Sequence, residues 1–466
     1  MFTKFKFPTI ITSYLIIIAI FSSCKKDINS DNNLNFKSVD QFDYNIIHEW
    51  NTLWLEIERH AAGYRPGPVS NSLGYVGLAN YEACVSGMSS YKSISNLYNG
   101  LKIPSINQNQ EYHWPTVVNS VNTYLYSRLF AEVAAELFYK INTLSLENEN
   151  KFTKEITQEV FLRSKYHGEA VATAVWEWMK TDQATFDKYK NVFEDYKWED
   201  HYKKDGDWIA TYPGPGAGMF PYWGKGRTLA INEDQKLCRP YSYYAPYSED
   251  PKSGLYAMAI EVMAQNTPSL SYQAEWLGEF WSDDLLGLTF SPPSRWIAIA
   301  DQVYVNEKAS LEEAIVANAK VGLALHDAGI ACWNSKYFYN LERPQTYINR
   351  IIDPSWTPNL DNPLTGDQGI TPSFPAYPSG HATFSASSAE ALASVFGYSY
   401  SMTDNCHKNR PEFSGYPRTF SSFYEMAQEN AWSRVPLGVH FRMDAEEGVR
   451  FGTEIGRAVN NLPWKK

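Results

Sequence analysis

The chain has 466 residues, a formal net charge of −11 and an isoelectric point of about 5.4. This length is enough for one large domain or two ordinary ones, with a sizeable buried core. The excess of acidic residues argues against nucleic acid and against an anionic membrane surface as partners. Aromatic residues make up 15 % of the chain, which favours large side chains packed between helices and around pockets.

The N-terminus has the features of a targeting segment. Two lysines precede an apolar stretch over about residues 10–21, which is too short for a good membrane-spanning helix. Two serines and Cys24 follow, an ending that resembles the lipidation site of bacterial lipoproteins. We therefore predict a signal peptide over 1–24, lipidation of Cys24 and a polar tether over 25–42. The alternative is an ordinary secretory signal with an incidental cysteine.

No later segment looks apolar enough to cross a bilayer. We therefore expect an extracytoplasmic body that meets a bacterial membrane only through the lipid anchor, in the periplasm or at the cell surface. The sequence does not choose the leaflet that carries the anchor, and it does not fix the oligomeric state.

Helical periodicity dominates residues 43–466. Apolar residues at three- and four-residue steps predict an amphipathic helix around Trp50. Further helices are predicted over 114–141, 157–179, 255–265 and 310–339. Capping boxes are predicted at the start of the last of these, from Ser310 and Glu313, and of a later helix, from Ser422 and Glu425. Strand patterns are scarce, so the sequence predicts an all-α helical bundle in one domain, 43–466.

Two long segments between these helices carry few regular patterns. Residues 201–251 are rich in glycine, proline and aromatics, and residues 353–380 contain six prolines. Loops of this length in a compact domain are usually functional or disordered. The second loop leads into a histidine motif, so we expect it to form an active-site rim. The first is either a lid or a surface excursion packed on the bundle.

Four cysteines follow Cys24 without any paired metal-binding spacing. An oxidising compartment permits one or two disulfides, and free buried thiols are equally compatible with the sequence. The four are Cys84, Cys238, Cys332 and Cys406.

Two short motifs supply cations and the start of a helix. Lys336 precedes Arg343 by seven residues, about two helical turns, so both would project from one helix face that Pro344 then ends. Ser379-Gly380-His381 precedes a run of small residues and reads as a helix start, where free amides and the dipole attract anions. Ser379 adds a hydroxyl, and His381 is placed to exchange protons near neutral pH.

A third motif supplies a further cation and a histidine–carboxylate pair. Ser433-Arg434 closes a helix, and His440 and Asp444 follow one helical turn apart. The carboxylate could fix the imidazole tautomer and leave the other ring nitrogen for an anion. A divalent metal at this pair is a weaker alternative, because the sequence shows no second ligand cluster. His326, on an apolar helix, is expected to be a core histidine.

Taken in order, these three motifs resemble the signature of the type 2 phosphatidic acid phosphatase and vanadium-dependent haloperoxidase superfamily. The stretches 374–384 and 433–444 are similar to the haloperoxidase version, and residues 67–83 resemble the N-terminal bundle of bacterial haloperoxidases. The resemblance covers most of the chain after the tether, with sharp motifs over 333–444. It implies a helical bundle that binds vanadate and uses hydrogen peroxide and a halide as small-molecule substrates.

The resemblance also implies roles for individual residues. His440 would be the axial vanadium ligand, supported by Asp444. His381 would take a proton from peroxide. The vanadate oxygens would be neutralised or hydrogen-bonded by Lys336, Arg343, Arg434, Ser379 and the amide of Gly380.

Phosphatases of the superfamily share this site, so a phosphatase that uses His440 as nucleophile and His381 as acid stays open. Chain length, the absence of several spanning helices and the residues that flank the motifs favour the peroxidase. A non-catalytic binding protein is a third alternative, which the intact set of site residues disfavours. Trp333 and Phe374 would line the halide approach. Their resemblance to iodoperoxidases predicts iodide first, then bromide, with chloride a poor substrate.

Overall fold

The computed structural model describes residues 36–211, 216–265, 272–410 and 415–466, and regular structure in these ranges is almost entirely α-helical. The all-α prediction is confirmed. Two short strands, β1 (Met402–Asp404) and β2 (Arg418–Phe420), form an antiparallel pair. The helices in chain order are α1 Asn45–Glu58, α2 Gly67–Cys84, α3 Trp114–Leu129, α4 Ala135–Phe152, α5 Gln158–Met179, α6 Gly254–Gln265, α7 Tyr272–Phe280, α8 Pro292–Glu307, α9 Leu311–Tyr339, α10 Pro344–Ile351, α11 Gly380–Phe396, α12 Phe423–Ser433 and α13 Arg442–Asn460.

Residues 37–466 form one compact unit. The predicted signal peptide, Cys24 and residues 25–35 of the predicted tether lie outside the described residues and stay predictions. All four later cysteines are free thiols in this unit.

Local signals for helix starts are largely confirmed. Ser310 accepts from the amide of Glu313 at 3.2 Å, and the Glu313 carboxylate accepts from the Ser310 amide at 2.8 Å. The second predicted capping box is only half formed. Ser422 caps the amide of Glu425 at 3.2 Å, but the Glu425 carboxylate instead accepts from Ser421.

The single helix predicted over residues 114–141 is wrong, because the chain reverses between α3 and α4. Phe130 ends α3 with its side chain fully buried. Its ring lies 4.8 Å from the ring of Trp54 on α1. No glycine or proline marks this break, so the turn depends on tertiary packing that helical periodicity does not report.

Helix α9 is the centre of the bundle. It is long and apolar enough to cross a membrane, whereas no segment after the leader was expected to be. However, 94 % of its most apolar stretch is buried inside the protein. It packs against α2, α8, α11 and α13, so an apolar surface all round suits its position. His326 lies on α9 with no exposed surface and bonds the Arg227 carbonyl at 2.7 Å, as expected of a core histidine.

Helices α11 and α13 pack closely, and this packing brings the second and third motifs together. Glycines four residues apart on α13, at 448, 452 and 456, face α11. A Cβ on Gly448 would lie 2.6 Å from Cβ of Ala382 and 2.9 Å from the carbonyl oxygen of Ser379. The close approach also allows the Ser379 amide to donate to the Asp444 carbonyl at 2.9 Å.

We expect Gly448→Ala to lower the free energy of unfolding by about 1–3 kcal/mol, because a well-packed interface must open to admit the methyl group. Chemical denaturation followed by circular dichroism would measure the change. Gly254→Ala is the matched control, since its added Cβ would meet only Cβ of Ala245, at 3.3 Å. Equal stability losses in the two variants would contradict the packing argument.

Candidate active site

A cavity of ≈ 160 Å³ opens between α9, α11 and the loops before α2, α8 and α11. Six of the residues singled out in the sequence line it: Trp333, Phe374, Gly380, His381, Arg434 and His440. The other four, Lys336, Arg343, Ser379 and Asp444, are fully buried. The structure therefore brings the three motifs to one place.

Lys336 and Arg343 reach the site from different elements, which corrects the prediction of one continuous helix. Helix α9 ends at Tyr339, and Pro344 begins α10 with Arg343 as its N-terminal cap. A proline at the first helical position loses no hydrogen bond, so it favours a helix start as much as a helix end. Lys336 Nζ donates to the carbonyls of Pro375 and Ala376 at 2.9 and 2.8 Å.

Arg343 is held mainly by main-chain carbonyls. Its Nε donates to Phe374 O at 2.9 Å, and its Nη1 donates to Val439 O at 2.8 Å. Its Nη2 has no hydrogen-bond partner among the described residues. The adjacent Glu342 carboxylate binds Arg350 at 2.8 Å, so it pairs with another cation.

Helix α11 begins where the sequence predicts. Ser379 is its N-terminal cap, with Oγ accepting from the Ala382 amide at 3.4 Å. A Cβ on Gly380 would make only ordinary contacts with Trp333 and Phe384, so protein atoms do not require glycine here. His381 Nε2 lies 3.0 Å from the Ser282 carbonyl oxygen, which can only accept a hydrogen bond and so makes Nε2–H the favoured tautomer.

Arg434 is the third buried cation and has an acidic partner that sequence reasoning missed. Its Nη2 donates to Asp284 at 2.6 Å, and its Nη1 lies 3.4 Å from Ser282 O. Its Nε has no hydrogen-bond partner in the described part of the chain. Asp284 also lies 3.8 Å from His381 Nε2.

His440 and Asp444 form the expected pair. His440 Nδ1 lies 2.9 Å from Asp444 Oδ2, which also accepts from the Phe441 amide at 3.1 Å. His440 Nε2 lies 3.0 Å from Arg343 Nη1, so its lone pair points at a cation. Burial, followed by the charges of Arg343 and Lys336, lowers the pKa of His440 well below its ordinary value, so the ring is neutral.

Burial and mutual repulsion disfavour the charged forms of the basic groups at the site. Burial lowers the pKa of Lys336, and burial together with the Arg434 charge lowers the pKa of Arg343 to about 9. Burial, and then Arg434, lowers the pKa of His381 to about 4. An anion in the cavity would relieve these penalties, because it would add opposite charge to a water-poor site.

Trp333 and Phe374 form an aromatic wall beside the cations. Their ring centroids are 4.9 Å apart, and Lys336 Nζ lies 5.1 Å from the Phe374 ring. The Trp333 indole donates to Met219 O at 3.1 Å, so residues 201–251, expected to be a lid or a surface excursion, contribute to the cavity wall.

Several lining residues were not predicted. The expected rim, residues 353–380, supplies Leu360, Ile370 and Pro372 as well as Phe374. Asp283, Asp284 and Leu285 come from the connection between α7 and α8, and the approach to α2 adds Arg65. The sequence signal for this part of the site was the pair Asp283 and Asp284 in an aromatic segment, and two adjacent acids are a weak signal for a functional site.

The fold and the site define a helical-bundle protein with three buried cations at a cavity. Residues 317–462 match the family model described as the VCPO second helical-bundle domain. The chain is 29 % identical to the vanadium chloroperoxidase of Curvularia inaequalis over 217 residues, which is 36 % of this chain and 36 % of that protein. The aligned part spans only about a third of that relative.

Solved structures match over most of the chain. A crystal structure titled as the first bacterial vanadium-dependent iodoperoxidase shares 26 % identity and a TM-score of 0.78, covering 91 % of this chain and 97 % of that one. A holo bacterial vanadium-dependent chloroperoxidase shares 15 % identity and a TM-score of 0.63 over 91 % and 98 %, a likeness of fold alone. The chain is thus similar to vanadium haloperoxidases in its overall fold and in the bundle over residues 317–462.

The buried neutral state of His381 predicts a pH effect on stability. Its pKa falls from an ordinary 6.5 to about 4 in the folded protein, so between these values only the unfolded chain binds the proton. Stability is then lost as pH falls, by about 1.4 kcal/mol per pH unit from this residue. We expect the unfolding free energy of His381→Gln to decline less steeply by that amount between pH 6 and 4.5. Parallel declines in the two proteins would contradict the burial argument.

Proposed function

We propose that this protein is a vanadate-dependent haloperoxidase that uses hydrogen peroxide to oxidise iodide to hypoiodous acid. The observation that carries the proposal is the cluster of three buried cations beside a neutral histidine at a cavity. Lys336, Arg343 and Arg434 are at most 1 % exposed, and His440 is 3 % exposed. Such a set of preorganised donors suits a tetrahedral oxyanion.

The residues present fit vanadate. Buried guanidinium N–H groups of Arg343 and Arg434 have no acceptor among the described residues, and unpaired buried donors are rare in folded proteins. By formal charge the three cations exceed the two nearby acids, Asp284 and Asp444, by one, while burial lowers the pKa of Lys336 and raises the pKa of Asp444. His440 would be the vanadium ligand, and Ser379, Gly380 and the three cations would hold the oxygens. Bound vanadate would supply the Lewis acidity that activates peroxide toward the halide.

The protein's own residues would orient the vanadium ligand, accept the proton and supply positive charge. Asp444 holds the Nδ1–H tautomer of His440 and so leaves the lone pair on Nε2, which Arg343 Nη1 contacts at 3.0 Å and would have to release to a ligand. His381 is neutral at pH 7, with Nε2–H donated to Ser282, so Nδ1 is the atom that accepts a proton from peroxide. Lys336 supplies positive charge beside the reacting oxygens.

Peroxidase and phosphatase chemistry would use His381 in opposite protonation states. A phosphatase needs a protonated group at this position to release the alcohol, whereas a peroxidase needs a base. Burial, followed by the Arg434 charge, lowers the pKa of His381 to about 4 before an anion binds, so the imidazole is neutral and suited to accept a proton.

The aromatic wall and the iodoperoxidase neighbour support iodide as the preferred halide. Iodide is the largest and least strongly hydrated of the three halides considered, so entry into an apolar site has the smallest desolvation penalty. The closely packed rings of Trp333 and Phe374, beside Lys336, provide such a site.

A paired assay on the purified domain tests the reaction. One arm supplies orthovanadate, peroxide and iodide or bromide, and the other supplies p-nitrophenyl phosphate without vanadate. We expect vanadate-dependent halide oxidation that falls by on the order of 10² or more in His440→Ala, because the residue that would hold vanadium is removed. His60→Ala, at an exposed histidine, is the matched control and should keep full activity.

Efficient phosphate release without halide turnover would assign the site to a phosphatase. No turnover in either arm, with vanadate still bound, would favour the binding protein.

Halide preference has its own test. We expect Phe374→Ala to lower the ratio of kcat/KM for iodide to that for bromide by about tenfold, since an apolar contact contributes a discrimination of this order. Steady-state kinetics with both halides would measure the ratio. Phe338→Ala, at a side chain 66 % exposed, is the control. An unchanged ratio in Phe374→Ala would remove this wall from the explanation of halide preference.

A further inference from the structure

We infer that Asp283 and Arg295 are positioning residues for His381, which they align through the main-chain carbonyl of Ser282. The inference rests on the proposed function for the role of His381 in proton transfer. These residues act on the turn over residues 281–284, at the start of the connection between α7 and α8. None of the three motifs includes this turn.

The Ser282 carbonyl is the contact that decides which nitrogen of His381 is free. It lies 3.0 Å from His381 Nε2 and 3.4 Å from Arg434 Nη1, so a base and a cation share one acceptor. If this carbonyl moved away, the Nε2–H tautomer would lose its hydrogen bond, and the proton could occupy Nδ1 instead. His381 would then present the wrong nitrogen to an incoming proton donor.

The backbone of the turn adopts a conformation that side chains disfavour. Asp283 has φ of 42°, in the left-handed region, and its side chain has no exposed surface. A non-glycine residue persists there only when surrounding contacts fix it, and such residues concentrate at functional sites. The contact in this case is a buried ion pair.

Arg295 on α8 contacts residues on both sides of Ser282. Its Nη1 donates to the carbonyl of Phe280 at 3.0 Å and lies 3.4 Å from both carboxylate oxygens of Asp283. Its Nη2 donates to Asp404 on β1 at 2.7 Å. His407 also contacts this cluster, with Nε2 at 2.6 Å from Arg295 Nη1. The guanidinium is fully buried and bridges the turn to the small sheet.

Helix α8 contacts both the turn and the helix that carries His381. Trp296, the next residue after Arg295, donates from its indole to Ser385 Oγ at 3.1 Å. Ser385 lies one helical turn after His381 on α11. Neighbouring residues of α8 thus fix the hydrogen-bond acceptor on one side and the helix that carries the imidazole on the other.

The charged and titratable groups around His381 come from several elements. Asp283 and Asp284 belong to the turn, Arg434 ends α12, and His440 precedes α13. Since the ring is neutral at pH 7, the carbonyl contact chooses between two neutral tautomers, and nitrogen NMR resolves these directly.

The test compares Asp283→Gly with Asp283→Asn. Glycine removes the carboxylate without the positive-φ penalty, and asparagine keeps an oxygen for Arg295 and tolerates the left-handed region. Asp195→Gly is the matched control, because Asp195 also has a positive φ, of 59°, and is exposed. Histidine ¹⁵N spectra of the vanadate-free protein at pH 7, assigned with His381→Gln, report the tautomer. Thermal melting verifies that each variant is folded.

We expect one Nε2–H tautomer of His381 in the wild type, Asp283→Asn and Asp195→Gly, and a mixture of both tautomers in Asp283→Gly. In the halide assay, Asp283→Gly should lose at least about tenfold in kcat, a part of what proton transfer contributes, with little change in the halide KM. A wild-type tautomer in folded Asp283→Gly would overturn the inference. Failure of the proposed function would give a different result. The wild type would then not oxidise halide, but the tautomers of His381 in the variants could still be compared by NMR.

Discussion

The burial of three neighbouring cations is the constraint on which the rest of the site depends. Lys336, Arg343 and Arg434 lie in the protein interior, where like charges repel strongly. The fold compensates them mainly with main-chain carbonyls, supplied by residues such as Pro375, Ala376, Phe374 and Val439. A carbonyl dipole stabilises a nearby cation without cancelling its charge, so the attraction for an anion is retained. Full pairing with carboxylates would have neutralised the site.

This constraint gives a physical reason for the proline-rich loop before α11. Prolines have no amide hydrogen, and they favour extended backbone in the residue before them. A segment with Pro372, Pro375 and Pro378 therefore offers many acceptors and few competing donors. The loop is anchored separately, because Leu360 and Ile370 pack with Leu437 and Val439 in a small apolar cluster. The same loop thus stabilises the cations and walls the cavity.

Features with a local signal in the sequence agree with the structure. The cap at Ser379 and the pair of His440 and Asp444 each depend on residues within one helical turn, and the structure shows both. Predictions were wrong where distant packing decided the outcome. The break after Phe130 depends on Trp54, and the separation of Arg343 from α9 depends on where the chain turns back. Asp284 is 150 residues from Arg434, so no spacing rule connects them.

Close helix packing and the electrostatics of the site are two aspects of one property. The glycines of α13 let α11 approach until the Ser379 amide bonds the Asp444 carbonyl, so the start of α11 lies directly against α13. In a water-poor interior the charges of Lys336 and Arg343 act at higher strength on a bound anion. Helix α9 extends this dry environment to Lys336 by burying its apolar surface on every side. The interfaces that stabilise the bundle are therefore the same ones that keep Lys336 and Arg343 out of bulk water.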